Sequence, residues 1–144
     1  MIDDPTADSG KVERVVLCSG KIYYDILAER EKQEKDNIAL VRIEQLYPLP
    51  LDQIMAIIGK YSSAGSLHWI QEEPVNMGAW KFISQNIGLP LYHTARPASG
   101  SPATGSGKLH KIQQELIITK ALGHCTCDKA NGSCRLECGD DNGI

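Results

Sequence analysis

At 144 residues the chain is long enough to bury one real core and too short for two large domains. Hydrophobic residues make up 42% and charged residues 23%, with a formal net charge of -3, an ordinary soluble balance that points to neither nucleic acid nor membrane as a partner. No apolar run reaches the roughly 20 residues of a membrane helix, and the start, Met1-Ile2-Asp3-Asp4-Pro5, has neither the basic nor the apolar region of a signal peptide. Both features place the protein inside a cell.

Residues 1–11 are polar and turn-rich without periodicity, so they read as a disordered leader, and structure begins near Val12. Val15-Val16-Leu17-Cys18, closed by Ser19-Gly20, has the continuous apolar form of a strand buried on both faces. From Lys21 to Lys35, Ile22, Tyr23, Ile26 and Leu27 recur at helical spacing, and Glu29 to Lys35 reads as the solvated end of that helix. Ile38 to Ile43 is a second buried strand. Pro48 and Pro50 interrupt the chain before Leu51, Ile54, Met55 and Ile58 mark another helix face.

Leu67-His68-Trp69-Ile70 is a weaker third strand. After Glu72-Glu73-Pro74, the residues Ala79, Phe82, Ile83 and Ile87 space as a helix stopped by Gly88 and Pro90. Leu91 to Ala95 is the fourth strand. A Pro/Gly/Ser loop over 97–107 leads into a last helix whose inward stripe is Leu109, Ile112, Leu116 and Ala121, ending at Gly123. Strand and helix alternate four times, which predicts an α/β fold over 12–123 with helices packed on both faces of a mostly parallel sheet and right-handed crossovers.

Five cysteines is an odd number: Cys18 stands in an apolar run, while Cys125, Cys127, Cys134 and Cys138 fall in the tail, residues 124–144. That is not a secreted disulfide framework for the main body. The tail admits two readings. Its thiols with His124 could hold zinc, although the spacing is unfamiliar; its Gly/Asp-rich flank favours a disordered segment, and no metal site is expected.

Three stretches carry a more specific signal: Arg42-Ile43-Glu44-Gln45-Leu46-Tyr47-Pro48, Gln71-Glu72-Glu73-Pro74-Val75-Asn76-Met77-Gly78-Ala79-Trp80, and Arg96-Pro97-Ala98-Ser99-Gly100-Ser101-Pro102-Ala103-Thr104-Gly105. In this order, with Lys21-Ile22-Tyr23-Tyr24-Asp25 before them and His110 after, they resemble the end of the dehydrogenase component of the 2-oxoglutarate dehydrogenase complex from Val12 to Gly123. Two departures stand out: Gly100, where the family usually carries a small side chain, and the tail after Gly123.

The resemblance implies a three-layer domain of the transketolase C-terminal type, with a mixed five-stranded sheet in which one short strand runs antiparallel. It implies an oxidoreductase that decarboxylates 2-oxoglutarate on thiamine diphosphate, in the citric acid cycle, and passes the succinyl group to a lipoyl arm. Thiamine diphosphate and Mg would be held by upstream catalytic domains and not by this one, so no catalytic or cofactor-binding residue is assigned. Implied partners are those upstream domains, a second copy in a homodimer, and the dihydrolipoyl succinyltransferase complex. The location would be the cytoplasm in a bacterium and the mitochondrial matrix in a eukaryote. Two alternatives remain: a standalone nucleotide- or acyl-coenzyme-A-binding regulatory module, or an inactive partial gene product.

Individual residues divide into sharp and bland readings. Glu72 and Glu73 are adjacent and point to opposite sides of a strand end, which does not suit shared proton work. With Gln71 and Asn76 they are expected to bond backbone donors in the turn before Trp80 and to face a second protomer. Trp69 and Trp80 read as core or interface anchors, with packing the preferred role, and Trp80 is also a candidate for the contact with a second protomer. His68, His93 and His110 share no metal-ligand spacing.

Ser19, Arg42 and Arg96 are the candidate anion site. Ser19-Gly20 opens a helix after a strand, where free amides attract anions. Arg42 interrupts an apolar strand, so it must meet either a carboxylate such as Glu44 or a phosphate. Arg96, leading the Ser/Pro/Gly loop, would close the same crevice from the other side.

Overall fold

The structure is a computed structural model that describes residues 1–123 and 137–140. Nine elements follow in chain order among them: β1 (Arg14–Cys18), α1 (Ile22–Lys32), β2 (Ile38–Arg42), α2 (Leu51–Lys60), β3 (Ser66–Pro74), α3 (Trp80–Ile87), β4 (Tyr92–Arg96), α4 (Gly107–Ala121) and β5 (Glu137–Asp140). The sheet order is β2-β1-β3-β4-β5, with the first four strands parallel and β5 antiparallel to β4.

Period-two alternation along buried strands sends neighbouring side chains to opposite faces. Val15, Leu17, Ala39, Val41 and Trp69 meet Ile54, Trp80, Ile83 and Ile87 of α2 and α3 on one face. Val16, Cys18, Ile38, Leu40 and Ile70 meet Ile22, Ile26, Ile117 and Ala121 of α1 and α4 on the other. The three-layer α/β architecture expected from the alternation is therefore present. The chain moves outward from β1 to β2, then back past β1 to β3, so the crossover direction reverses between β1 and β3. In such sheets the carboxyl ends of those two strands frame the crevice where ligands gather.

Three differences from the sequence reading have physical causes. Residues 1–11 do not behave as a disordered leader. Ile2 exchanges both backbone hydrogen bonds with Arg42, at 2.8 and 2.9 Å, along the outer edge of β2. Asp4 is buried against the guanidinium of Arg30, and its Oδ2 also accepts from Leu40 N at 2.8 Å. Burial itself pushes the Asp4 carboxyl up, yet the hydrogen bonds from Arg30, Leu40 and Thr6 together hold it below its ordinary value. Arg30, which the sequence places on a solvated helix end, is thus an interior residue. Periodicity does not show this, because an ion pair, not an apolar stripe, does the anchoring.

Second, β3 runs on to Pro74, past the apolar run that the sequence reading ends at Ile70, so Glu72 and Glu73 stand within the strand. Third, the fifth strand comes from the tail: Cys138 lies opposite Thr94 and Asp140 opposite Tyr92. The expected disorder over 124–144 thus fails at Glu137–Asp140, while four of the five residues of the zinc reading, His124, Cys125, Cys127 and Cys134, lie outside those described. A Cβ at Gly100 would have no neighbour within 4 Å, so the loop has room for the small side chain the resemblance implies there.

Candidate functional site at the carboxyl edge of the sheet

All the residues selected from sequence end up along the carboxyl edge of the parallel strands, but not in one cluster. Arg42 ends β2, Ser19 follows β1, Glu72 lies near the end of β3 and Arg96 ends β4. Arg42 and Arg96 are separated by three strand intervals, about 14 Å at the usual sheet spacing. The expectation that both close one crevice is therefore corrected: a doubly wound order places the crossover point between them.

Arg42 has its partners already. Its Nε lies 2.9 Å from a carboxylate oxygen of Glu44, Nη1 donates to the Tyr24 hydroxyl at 2.6 Å, and the guanidinium sits over the rings of Tyr23 and Tyr24, with centroids at 4.9 and 5.2 Å. The bond to Tyr24 is the main reason its pKa is held above the ordinary arginine value. Cation–π stacking plus a partly exposed ion pair satisfies the carboxylate alternative raised by the sequence. Ser19 is half-buried beside the positive-φ Gly20 that opens the turn into α1.

At the crossover point the side chains are two carboxylates and an amide, with Lys21 the basic group among them. Gln114 of α4 donates from Nε2 to Glu72 at 2.8 Å and to Asp25 at 3.1 Å, and Lys21 bonds Asp25 at 2.8 Å. On the far side of Gln114, Arg96 donates from Nη2 to the Gln114 Oε1 and to His110 Nδ1, both at 3.1 Å. The chain Lys21-Asp25-Gln114-Arg96-His110 ties α1, β4 and α4 together, with Glu72 of β3 joined through Gln114. Gln114 carries no signal in the sequence, because a lone glutamine on an amphipathic helix reads as surface.

The Gln71–Trp80 segment is built around Gln71. Its Oε1 accepts from Trp69 Nε1 at 3.0 Å and from Trp80 N at 2.9 Å, while Nε2 donates to the carbonyls of Pro74 and Met77 at 3.1 and 2.9 Å. Of the four residues expected to bond the turn's backbone, Gln71 thus carries most of the task. Glu72 turns to Gln114 and Glu73 is exposed. Asn76 does bond backbone, bridging to Ser99 through both its amide atoms at 2.9 and 3.0 Å. Trp80 is only 8% exposed and stacks on His93 at 4.2 Å, so it belongs to this chain's own core rather than to an interface.

Exposed apolar side chains lie elsewhere. Leu51 and Met55, one turn apart on α2, are 39% and 42% exposed, and Tyr47, 84% exposed, reaches the Phe82 ring at 6.3 Å. Among the described residues no three His, Cys, Asp or Glu side chains converge to hold a metal ion. No helix among them is long and apolar enough to cross a membrane.

A doubly wound sheet with its polar network at the carboxyl edge defines an α/β domain of the transketolase C-terminal type. The chain belongs to the 2-oxoglutarate dehydrogenase C-terminal family, whose model matches residues 1–122. It is 46% identical over 121 residues to an oxoglutarate dehydrogenase of Buchnera aphidicola, covering 80% of this chain and 13% of the relative. It is 40% identical over 126 residues to a 2-oxoglutarate dehydrogenase E1 component of Cupriavidus necator, covering 83% and 13%. A multifunctional 2-oxoglutarate metabolism enzyme of Mycolicibacterium vanbaalenii matches at 38% over 125 residues, 82% of this chain and 10% of that protein. The chain therefore spans about an eighth of the length of the first of these relatives.

Proposed function

We propose that this chain serves as the C-terminal domain of a thiamine-diphosphate-dependent 2-oxoglutarate dehydrogenase, an oxidoreductase that decarboxylates 2-oxoglutarate and hands a succinyl group to the lipoyl arm of a dihydrolipoyl succinyltransferase. The observation that carries the reading is the family match across the whole of the main fold, residues 1–122, by proteins named for that substrate. Thiamine diphosphate and Mg belong to upstream domains in this reading, where the cofactor supplies the carbanion-stabilising chemistry. This domain supports a homodimer, for which the exposed Tyr47, Leu51 and Met55 are the best-suited apolar surface. The location is the cytoplasm of a bacterium or the mitochondrial matrix of a eukaryote.

A regulatory role belongs to the same reading. A phosphate-bearing effector such as acetyl-coenzyme A or AMP would bind at Ser19 and Arg42, displacing Glu44 from the guanidinium while the Tyr23 and Tyr24 rings keep it in place. The test pairs two measurements on the purified chain. With thiamine diphosphate and Mg supplied, 2-oxoglutarate turnover should stay at the buffer level; turnover above it contradicts the assignment of catalysis to other domains. Calorimetric titration of acetyl-coenzyme A and AMP should give heat in the parent and at least tenfold weaker binding in Arg42→Ala. No heat in the parent, or equal binding in the variant, removes the effector role.

A further inference from the structure

The loop after β4 encloses a cavity that no part of the proposed function uses. It measures about 340 Å³ and its walls include Arg96, Ser99, Ser101, Thr104, Gly105 and Leu109. Arg96 is 5% exposed, and its buried Nε has no hydrogen-bond partner. The partners of its Nη2 are the His110 ring and the Gln114 amide oxygen, and no carboxylate lies in ion-pair contact with it among the described residues. A guanidinium this far from water without a direct counter-charge is costly to maintain. Glu72 stands one amide further away, across Gln114, and faces the crossover crevice rather than the cavity.

We infer that this cavity is a second anion site, which takes a phosphate group on Arg96 and the Ser99–Gly105 loop. Three features converge on that chemistry. The guanidinium offers a planar donor set suited to phosphate oxygens. The Ser99 hydroxyl accepts from Ser101 N at 3.1 Å, which leaves its own hydrogen to donate. The 15-residue helix α4 starts at the cavity rim, capped by Ser106 and with Gly105 and Leu109 in the wall, so its positive end points toward the same space. The hydroxyls of Ser101 and Thr104 are committed to the carbonyls of Ala103 and Ser106, so they shape the loop rather than bind the ligand. Asn76 holds the loop to the β3–α3 turn through Ser99, which keeps the wall in place without an occupant.

An oxyanion here could be free phosphate chemistry or a carboxylate supplied by another part of the enzyme, and the test separates them. Amide spectra of the isotope-labelled chain are followed while inorganic pyrophosphate is added, and separately while succinate is added. Saturable shifts should appear at Ser99 to Gly105 with pyrophosphate, and binding should weaken at least tenfold in Arg96→Gln. Because Arg96 is interior, a second variant is needed: Ser101→Asp, at an exposed position, brings a negative charge to the rim and should weaken binding similarly without touching the core. Arg42→Ala should leave these shifts intact, which distinguishes this cavity from the effector site at Ser19 and Arg42. Shifts confined to Tyr24 and Arg42, no saturation in the parent, binding unchanged in Ser101→Asp, or succinate binding as tightly as pyrophosphate would each overturn the proposal.

Discussion

Gln71 shows how much of a local fold one uncharged side chain can determine. Its amide bonds the Trp69 indole and the Trp80 backbone on one side and two turn carbonyls on the other. Gly78 lies against it in the left-handed region at φ 66°, where a Cβ would come within 3.0 Å of the Gln71 amide. Replacing Gln71 by Ala leaves several buried groups unpaired and should cost about 2–4 kcal/mol. Gly78→Ala should cost about 1–3 kcal/mol through strain. Urea unfolding checks both, and a loss below about 0.5 kcal/mol in either would refute that role. A second residue-scale consequence concerns pH. Burial, assisted by the Arg14 charge, pushes His68 down to about 4, while in an unfolded chain it titrates near 6.5. On acidification the unfolded chain takes the proton first, so stability should fall between about pH 6.5 and 4 and level off below. His68→Asn should flatten that window relative to the parent; parallel profiles would show that His68 is not responsible.

At the scale of elements, the sequence makes visible what burial writes in apolar letters. β1 and β2 are continuous runs buried on both faces, and α3 ends where Gly88 adopts φ 68°, as its position after Ile87 suggests. Apolar pattern alone makes β3 too short because its second half, Gln71-Glu72-Glu73, is polar; its pairing with β4 resumes at Pro74 after an irregularity that no composition encodes. β5 escapes the same pattern because its four residues carry no alternation. If the chain is ended at Gly123, the β4 amides that face β5 should lose hydrogen-exchange protection while those facing β3 keep it. Unchanged protection across Tyr92 to Ala95 would mean that β5 does not persist in solution.

For the whole molecule, the carboxyl-edge site is only partly legible in the sequence. Ser19, Arg42 and Arg96 do fall near strand ends, as their flanking apolar runs imply, but strand order is a tertiary fact, and it sets the two arginines on either side of an acidic crossover point. Tyr47, Leu51 and Met55, by contrast, are ordinary helix-face and loop residues in sequence, and only their exposure marks them. This surface should drive self-association of the isolated chain. Sedimentation should show a concentration-dependent dimer that Met55→Lys weakens. A parent that stays monomeric at all concentrations would exclude this surface as the contact.

The buried pair of Asp4 and Arg30 has a practical meaning for anyone excising this domain from a longer polypeptide. The apolar pattern invites a cut just before Val12. Such a cut would strand the Arg30 guanidinium inside the protein and leave Leu40 N without its acceptor, a loss on the order of 3–5 kcal/mol when one member of a buried pair is removed. It would also unzip Ile2 from Arg42 and bare the flank of β2, an invitation to intermolecular strand addition. A cut that preserves the pair therefore keeps Asp4, which stands eight residues before Val12, where hydrophobicity begins.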